Sequence, residues 1–107
     1  LMADFVLKNG TIIQVSTLKY HIFMSKLKIY NQVFTKILGI KETKLKKLNY
    51  QGVKAWDSVG HMNLIAVLEK KFDIEMDIDD IVDFSSYEKG KRILGRTLFF
   101  FDNFQFT

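Results

Sequence analysis

Trp56-Asp57-Ser58-Val59-Gly60-His61-Met62-Asn63-Leu64-Ile65-Ala66-Val67-Leu68-Glu69-Lys70-Lys71-Phe72 is the stretch on which the reading of the fold turns. Val59, Met62, Ile65, Ala66, Leu68 and Phe72 recur at the three- and four-residue steps of an amphipathic helix. Asp57 and Ser58 are both good capping types, and the Asp57 carboxylate also complements the positive end of a helix. A helix is therefore expected to begin at Asp57 or Ser58 and run to Phe72. Its first turn carries a serine hydroxyl one residue after an acid and one residue before an apolar anchor.

Upstream, Ile29, Tyr30, Val33, Phe34, Ile37 and Leu38 form a second apolar stripe of helical period, read from Lys26 onward, and Gly39 is placed to end it with a left-handed cap. Ile40 to Ala55 is a long lysine-rich connection, in which Leu45, Leu48, Tyr50 and Val53 are the residues able to pin it to a core. Structureless connections of such length are uncommon and usually functional. Downstream, Asp73-Ile74-Glu75-Met76-Asp77 interrupts the helical pattern. Ile78, Ile81, Val82 and Phe84 fit a turn or two of helix with acids outward. Ser85 and Glu88 are spaced as a capping box for a last helix through Lys91, Arg92, Ile93 and Leu94. The expectation is an all-α fold, a four-helix bundle with a long first loop and a short third helix, and the chain has no proline to oppose it. The expected core is Ile29, Val33, Phe34, Ile37, Val59, Met62, Ile65, Leu68, Phe72, Ile81 and Ile93.

The two ends read differently. In residues 1–23, Phe5-Val6-Leu7 and Ile12-Ile13-Gln14-Val15 flank Asn9-Gly10, a hairpin signal because both turn residues tolerate positive φ. Met24-Ser25-Lys26 resembles the start of a coding unit, so 1–23 is read as an extension, either accessory or added by cloning. Residues 24–95 form the main domain and 96–107 an aromatic tail with Phe99, Phe100, Phe101, Phe104 and Phe106. Apolar surface at both ends predicts self-association through the termini.

Composition excludes several kinds of chemistry. The 107 residues suit one domain able to fold without staples, and the absence of cysteine removes disulfides and thiolate metal ligation. Two separate histidines do not make a zinc site, so no metal is expected. No apolar run approaches the roughly 20 residues of a membrane helix and no cleavable leader is visible, which predicts a cytoplasmic protein without membrane insertion. The net charge of +4 hides a dipole. Lys26 to Lys54 holds eight lysines and one acid, whereas Asp57 to Glu88 holds nine acids and two lysines. Such a distribution favours steering a partner onto one face over wrapping a phosphate backbone. Nucleic acid is therefore not an expected partner; a small basic helical protein that binds nucleic acid or another acidic partner is the alternative reading.

From Ile29 to Leu94 the chain resembles an acyl carrier protein. The run Asp57-Ser58-Val59 through Leu64, Leu68-Glu69 and Phe72-Asp73-Ile74 is similar, without a gap, to that family's attachment motif and second helix, with valine where the family usually has leucine after the serine. By the resemblance, Ser58 carries a 4′-phosphopantetheine arm derived from coenzyme A, and the arm's thiol holds acyl or aminoacyl groups as thioesters. It implies a non-catalytic protein whose partners are a phosphopantetheinyl transferase and acyl-loading and acyl-transfer enzymes. Partner recognition is then expected at Asp57, Val59, Met62, Glu69, Asp77, Asp79 and Asp80. Carriers of fatty acid biosynthesis show a strongly acidic second helix; here Glu69 is the sole acid within it, and the Trp56 and His61 combination looks more like stand-alone carriers of specialised pathways. His61, one turn after Ser58, reads as an exposed polar helix position and not a general base, because no orienting partner stands near it in sequence. Trp56 reads as a plug between the loop and the bundle.

Overall fold

The computed structural model describes residues 5–8 and 11–98, with side chains described from Tyr20 to Arg96. The fold is predominantly helical. Strands β1 (Phe5–Lys8) and β2 (Thr11–Gln14) pair antiparallel in the register Phe5↔Gln14, Val6↔Ile13, Leu7↔Ile12 and Lys8↔Thr11. Their Asn9-Gly10 connection lies outside the described residues, as does the phenylalanine cluster from Phe99 onward. The expectation of self-association through the termini falls largely there too.

Helix α1 spans Val15–Leu38, so it starts well before Lys26 and passes Met24 without a break. No glycine or proline occurs between Gly10 and Gly39, and Phe23, Leu27, Tyr30, Phe34 and Leu38 continue one stripe at three- and four-residue steps. Nothing in the chain stops the helix at Met24. Tyr30, Val33, Phe34 and Leu38 are buried, and Phe23, Leu27, Ile29 and Ile37 pack partly against them. Gly39 closes the helix at φ +66, its amide donating to the Thr35 carbonyl at 2.9 Å.

The long connection is not structureless. Glu42–Lys47 forms a 3-10 helix whose Leu45 is buried, and Leu48 follows it into the core. Tyr50 N–H donates to the Ser85 carbonyl, and Tyr87 N–H to that of Leu48, which stitches the connection to the segment before the last helix. Tyr87 donates its hydroxyl to Asn31 Oδ1, and Asn31 Nδ2 donates to Glu42 at 3.1 Å. The buried Tyr30 hydroxyl donates to the Tyr87 carbonyl at 2.7 Å, so α1, the 3-10 helix and the last helix share one polar network.

Helix α2 is Ser58–Phe72, α3 is Ile78–Asp83 and α4 is Tyr87–Leu98. Asp73 ends α2 in the left-handed conformation, where its own amide and that of Ile74 both reach the Glu69 carbonyl. The cap of α4 is Ser86, whose Oγ accepts from Lys89 N–H at 2.9 Å, and not the expected Ser85. Ser85 instead lends its carbonyl to Tyr50. Arg96 lies within α4, not in a separate tail, because the helix continues to Leu98.

The buried face of α2 corrects the expected core. Gly60, Leu64, Ile65, Leu68 and Phe72 point inward, while Val59 and Met62 are exposed. At 100° per residue, Val59 falls opposite the centre of the buried stripe, and Gly60 and Leu64 hold the inward positions that the apolar spacing assigns to Val59 and Met62. Val33, Phe34, Ile65, Leu68, Phe72 and Ile93 are core residues as expected, and Ile29, Ile37 and Ile81 sit at its margin. Trp56, Leu64, Met76, Phe84, Tyr87 and Leu94 also belong to it. Gly90 lets α4 approach closely, since a Cβ there would meet the Phe84 ring and lie 2.5 Å from the Tyr30 hydroxyl.

Candidate functional site

The N-terminus of α2 is built by Asp57. Its backbone is extended (φ −101, ψ −168), and its Oδ1 accepts from Gly60 N–H at 2.8 Å while its carbonyl accepts from His61 N–H at 2.8 Å. This division of labour leaves Ser58 as the first helical residue, exposed, with no side-chain hydrogen bond to another described residue. A first-turn position also keeps its hydroxyl beside backbone N–H groups that have no intrahelical acceptor. Gly60 allows the arrangement: a Cβ there would overlap the Ala55 carbonyl, so the incoming chain presses on the first turn of α2. Sequence reasoning assigned Gly60 no role.

Trp56 anchors that incoming chain. It is fully buried, with ring centroids 5.6 Å from Phe34, 6.1 Å from Tyr50 and 6.5 Å from Phe84. Its indole ring also stacks on His61, with planes 19° apart. His61 is not the exposed polar position expected of it. Trp56 Nε1–H donates to His61 Nδ1 at 3.0 Å, and His61 Nε2 lies 2.8 Å from the Ile81 carbonyl. Indole nitrogen is a donor only, so Nδ1 is the acceptor and Nε2 carries the proton given to Ile81. Both ring nitrogens are therefore engaged, which argues against service as a general base for Ser58. The five-residue step from Trp56 to His61 was the signal available in the sequence.

Between α2 and α3 lies a cleft of about 410 Å³, bordered by Ser58, His61 and Met62 on one side and Ile78, Ile81 and Val82 on the other, with Tyr50, Phe84 and Ser85 at its end. The rim is apolar and open: Met62 is 54% exposed, Ile78 75% and Val82 73%, while Val59, 68% exposed, follows Ser58 on the outer face of α2. Asp77, Asp79 and Asp83 are exposed around α3, and Asp80 pairs with Arg96 at 3.1 Å. The structure thus brings Ser58 and Met62 to one cleft with Ile78, Ile81 and Val82 of α3, whereas the exposed Val59 and the acids of α3 do not line it. Glu69 stands apart, about 16 Å along the α2 axis from Ser58 at 1.5 Å per residue. Its Oε2 accepts from Met76 N–H at 2.8 Å, so this carboxylate shapes the turn after α2.

Two tyrosines of the core titrate above the ordinary phenol range. Burial is the main cause that pushes the Tyr87 hydroxyl up to about 12, with Glu88 and then Glu42 adding to it and the Asn31 hydrogen bond opposing it. Tyr30 is raised well above the ordinary phenol range, again chiefly by burial. Among the described residues no group of His, Cys, Asp or Glu is arranged to hold a metal ion, and no helix is long and apolar enough to cross a membrane. No protein-family model matches the chain, and no curated protein sequence or solved structure matches it.

Proposed function

We propose that the chain is a carrier module that takes a 4′-phosphopantetheine arm on Ser58 and delivers acyl or aminoacyl groups to partner enzymes. The observation that carries the reading is the Ser58 hydroxyl, exposed and unpartnered among the described residues, at the first turn of a long helix and at the mouth of an apolar cleft. Under this reading α1 to α4 with the ordered first connection are the family's four-helix bundle with a short third helix.

The residues fit the arm. A phosphodiester on Ser58 stands at the positive end of α2, where unpaired N–H groups favour an anion. Asp57, already tied to Gly60, holds the first turn in shape. The cleft is of the size of sites that hold small organic ligands. When bound, the arm supplies the thiol on which cargo is held as a thioester, chemistry that a chain without cysteine does not otherwise possess.

Val59 and Met62 on α2 with Ile78 and Val82 on α3 form the docking surface for the transferase and the acyl-handling enzymes, and Asp77, Asp79 and Asp83 steer basic partners toward it. Incubation of the full chain with coenzyme A and a broad-specificity phosphopantetheinyl transferase should add one arm by intact mass. A chain whose mass does not change with several such transferases would count against the proposal.

A further inference from the structure

We propose that His61 is a positioning residue that latches α3 to Trp56 and so fixes the width of the cleft beside Ser58. Helix α3 is six residues long and buries none of them. Its N-cap Asp77 makes no side-chain capping bond, and Ile78 and Val82 face outward. A helix this short has little stability of its own. What holds it is the packing of Ile81 at the margin of the core, the burial of Phe84 just after it, the exposed pair of Asp80 with Arg96, and the hydrogen bond from His61 Nε2 to the Ile81 carbonyl. The exposed pair contributes little.

The His61 bond differs because both ends of the latch are anchored. Its ring is clamped by Trp56 through the stack and through the Nε1–H to Nδ1 bond, and Trp56 is fixed in the core among Phe34, Tyr50 and Phe84. The carbonyl that it holds belongs to the middle of α3, on the same wall as Ile78 and Val82. Releasing it frees that wall to move away from Ser58 and Met62 while the bundle formed by α1, α2 and α4 keeps its own core. The use of the cleft rests on the carrier reading, but the latch does not.

Hydrogen exchange of the full chain, without any arm, tests the latch. His61→Leu keeps an apolar filler and removes both bonds, whereas His61→Gln offers one amide with an acceptor oxygen and a donor nitrogen. Losing the bond to Ile81 should raise exchange of the amides from Ile81 to Phe84 by between about threefold and about tenfold, with the Leu64–Phe72 amides of α2 unchanged. Glutamine should restore much of the protection. Unchanged α3 exchange in His61→Leu overturns the proposal, and so does an equal rise across α1, α2 and α4, which marks a general packing role. Separately, the rate of arm attachment to Ser58 in His61→Leu and His61→Gln shows whether the transferase senses the wall. Rates that track the exchange support the latch as part of the site, and rates alike in both variants restrict Ser58 recognition to α2 and remove His61 from it.

Discussion

Replacing Phe34 by alanine tests the packing that positions the site. The ring is 0% exposed, and its centroid lies 4.8 Å from Tyr30, 5.3 Å from Tyr87, 5.6 Å from Trp56 and 6.1 Å from Phe84. It therefore links α1 to the chain entering α2, to the residue closing α3 and to the start of α4. A buried Phe→Ala change loses about 3 to 5 kcal/mol through transfer and cavity terms together. The upper half of that range is expected here, because four rings lose a partner and aromatic pairs contribute about 0.5 to 1.5 kcal/mol beyond area burial. Urea unfolding followed by the fluorescence of Trp56, the one tryptophan of the chain, reads the change as a lower midpoint at unchanged slope. Val59→Ala serves as the internal contrast, since an exposed residue should shift stability by no more than about 0.5 kcal/mol. A Phe34→Ala loss below about 1 kcal/mol, or a Val59→Ala loss equal to it, would refute the assignment of these two residues to core and surface.

Other expectations are more local. Gly60→Ala should lower stability by about 1 to 3 kcal/mol in the same urea experiment, because the methyl meets the Ala55 carbonyl rather than a movable side chain; a neutral change would contradict the close approach. Tyr87 titrates near 10 when unfolded and is pushed to about 12 in the fold, so its contribution is whole below about pH 10 and is lost as pH rises through about 12. Tyr87→Phe should therefore flatten part of the alkaline decline in stability, and an unaltered pH profile would remove that contribution. Under the carrier proposal, Asp79→Lys should slow partner association more at low than at high salt, since exposed charges act through screened steering. A salt-independent defect would indicate a folding effect.

The helical pattern was legible where one side of a helix meets the core. The span of α2, the left-handed end of α1 at Gly39 and the pinning of the first connection by Leu45 and Leu48 all follow from spacing and residue type. The orientation of α2 was not legible, because Val59 and Met62 share its apolar periodicity yet are exposed. A sequence does not state which apolar stripe is left uncovered by a neighbour. The start of α1 was obscured by Met24, which carries no helix-breaking property. The engagement of His61 was half legible, since Trp56 lies five residues away in the chain, whereas the Ile81 carbonyl arrives only when α3 folds back on α2. Ser58 and its Asp57 cap, by contrast, are local features and stand where their residue types place them.

The central claim is that Ser58 is the single attachment point, and paired loading of the native chain and Ser58→Ala tests it most directly. Alanine is a good helix former at this first-turn position, so the fold should persist with stability within about 0.5 kcal/mol of the native chain. With coenzyme A and a transferase, the native chain should gain one phosphopantetheine, and fragment masses should place it on Ser58. A folded Ser58→Ala chain should gain none. An alanine variant that still takes up the arm, or an arm mapped to Ser85 or Ser86, would contradict the account.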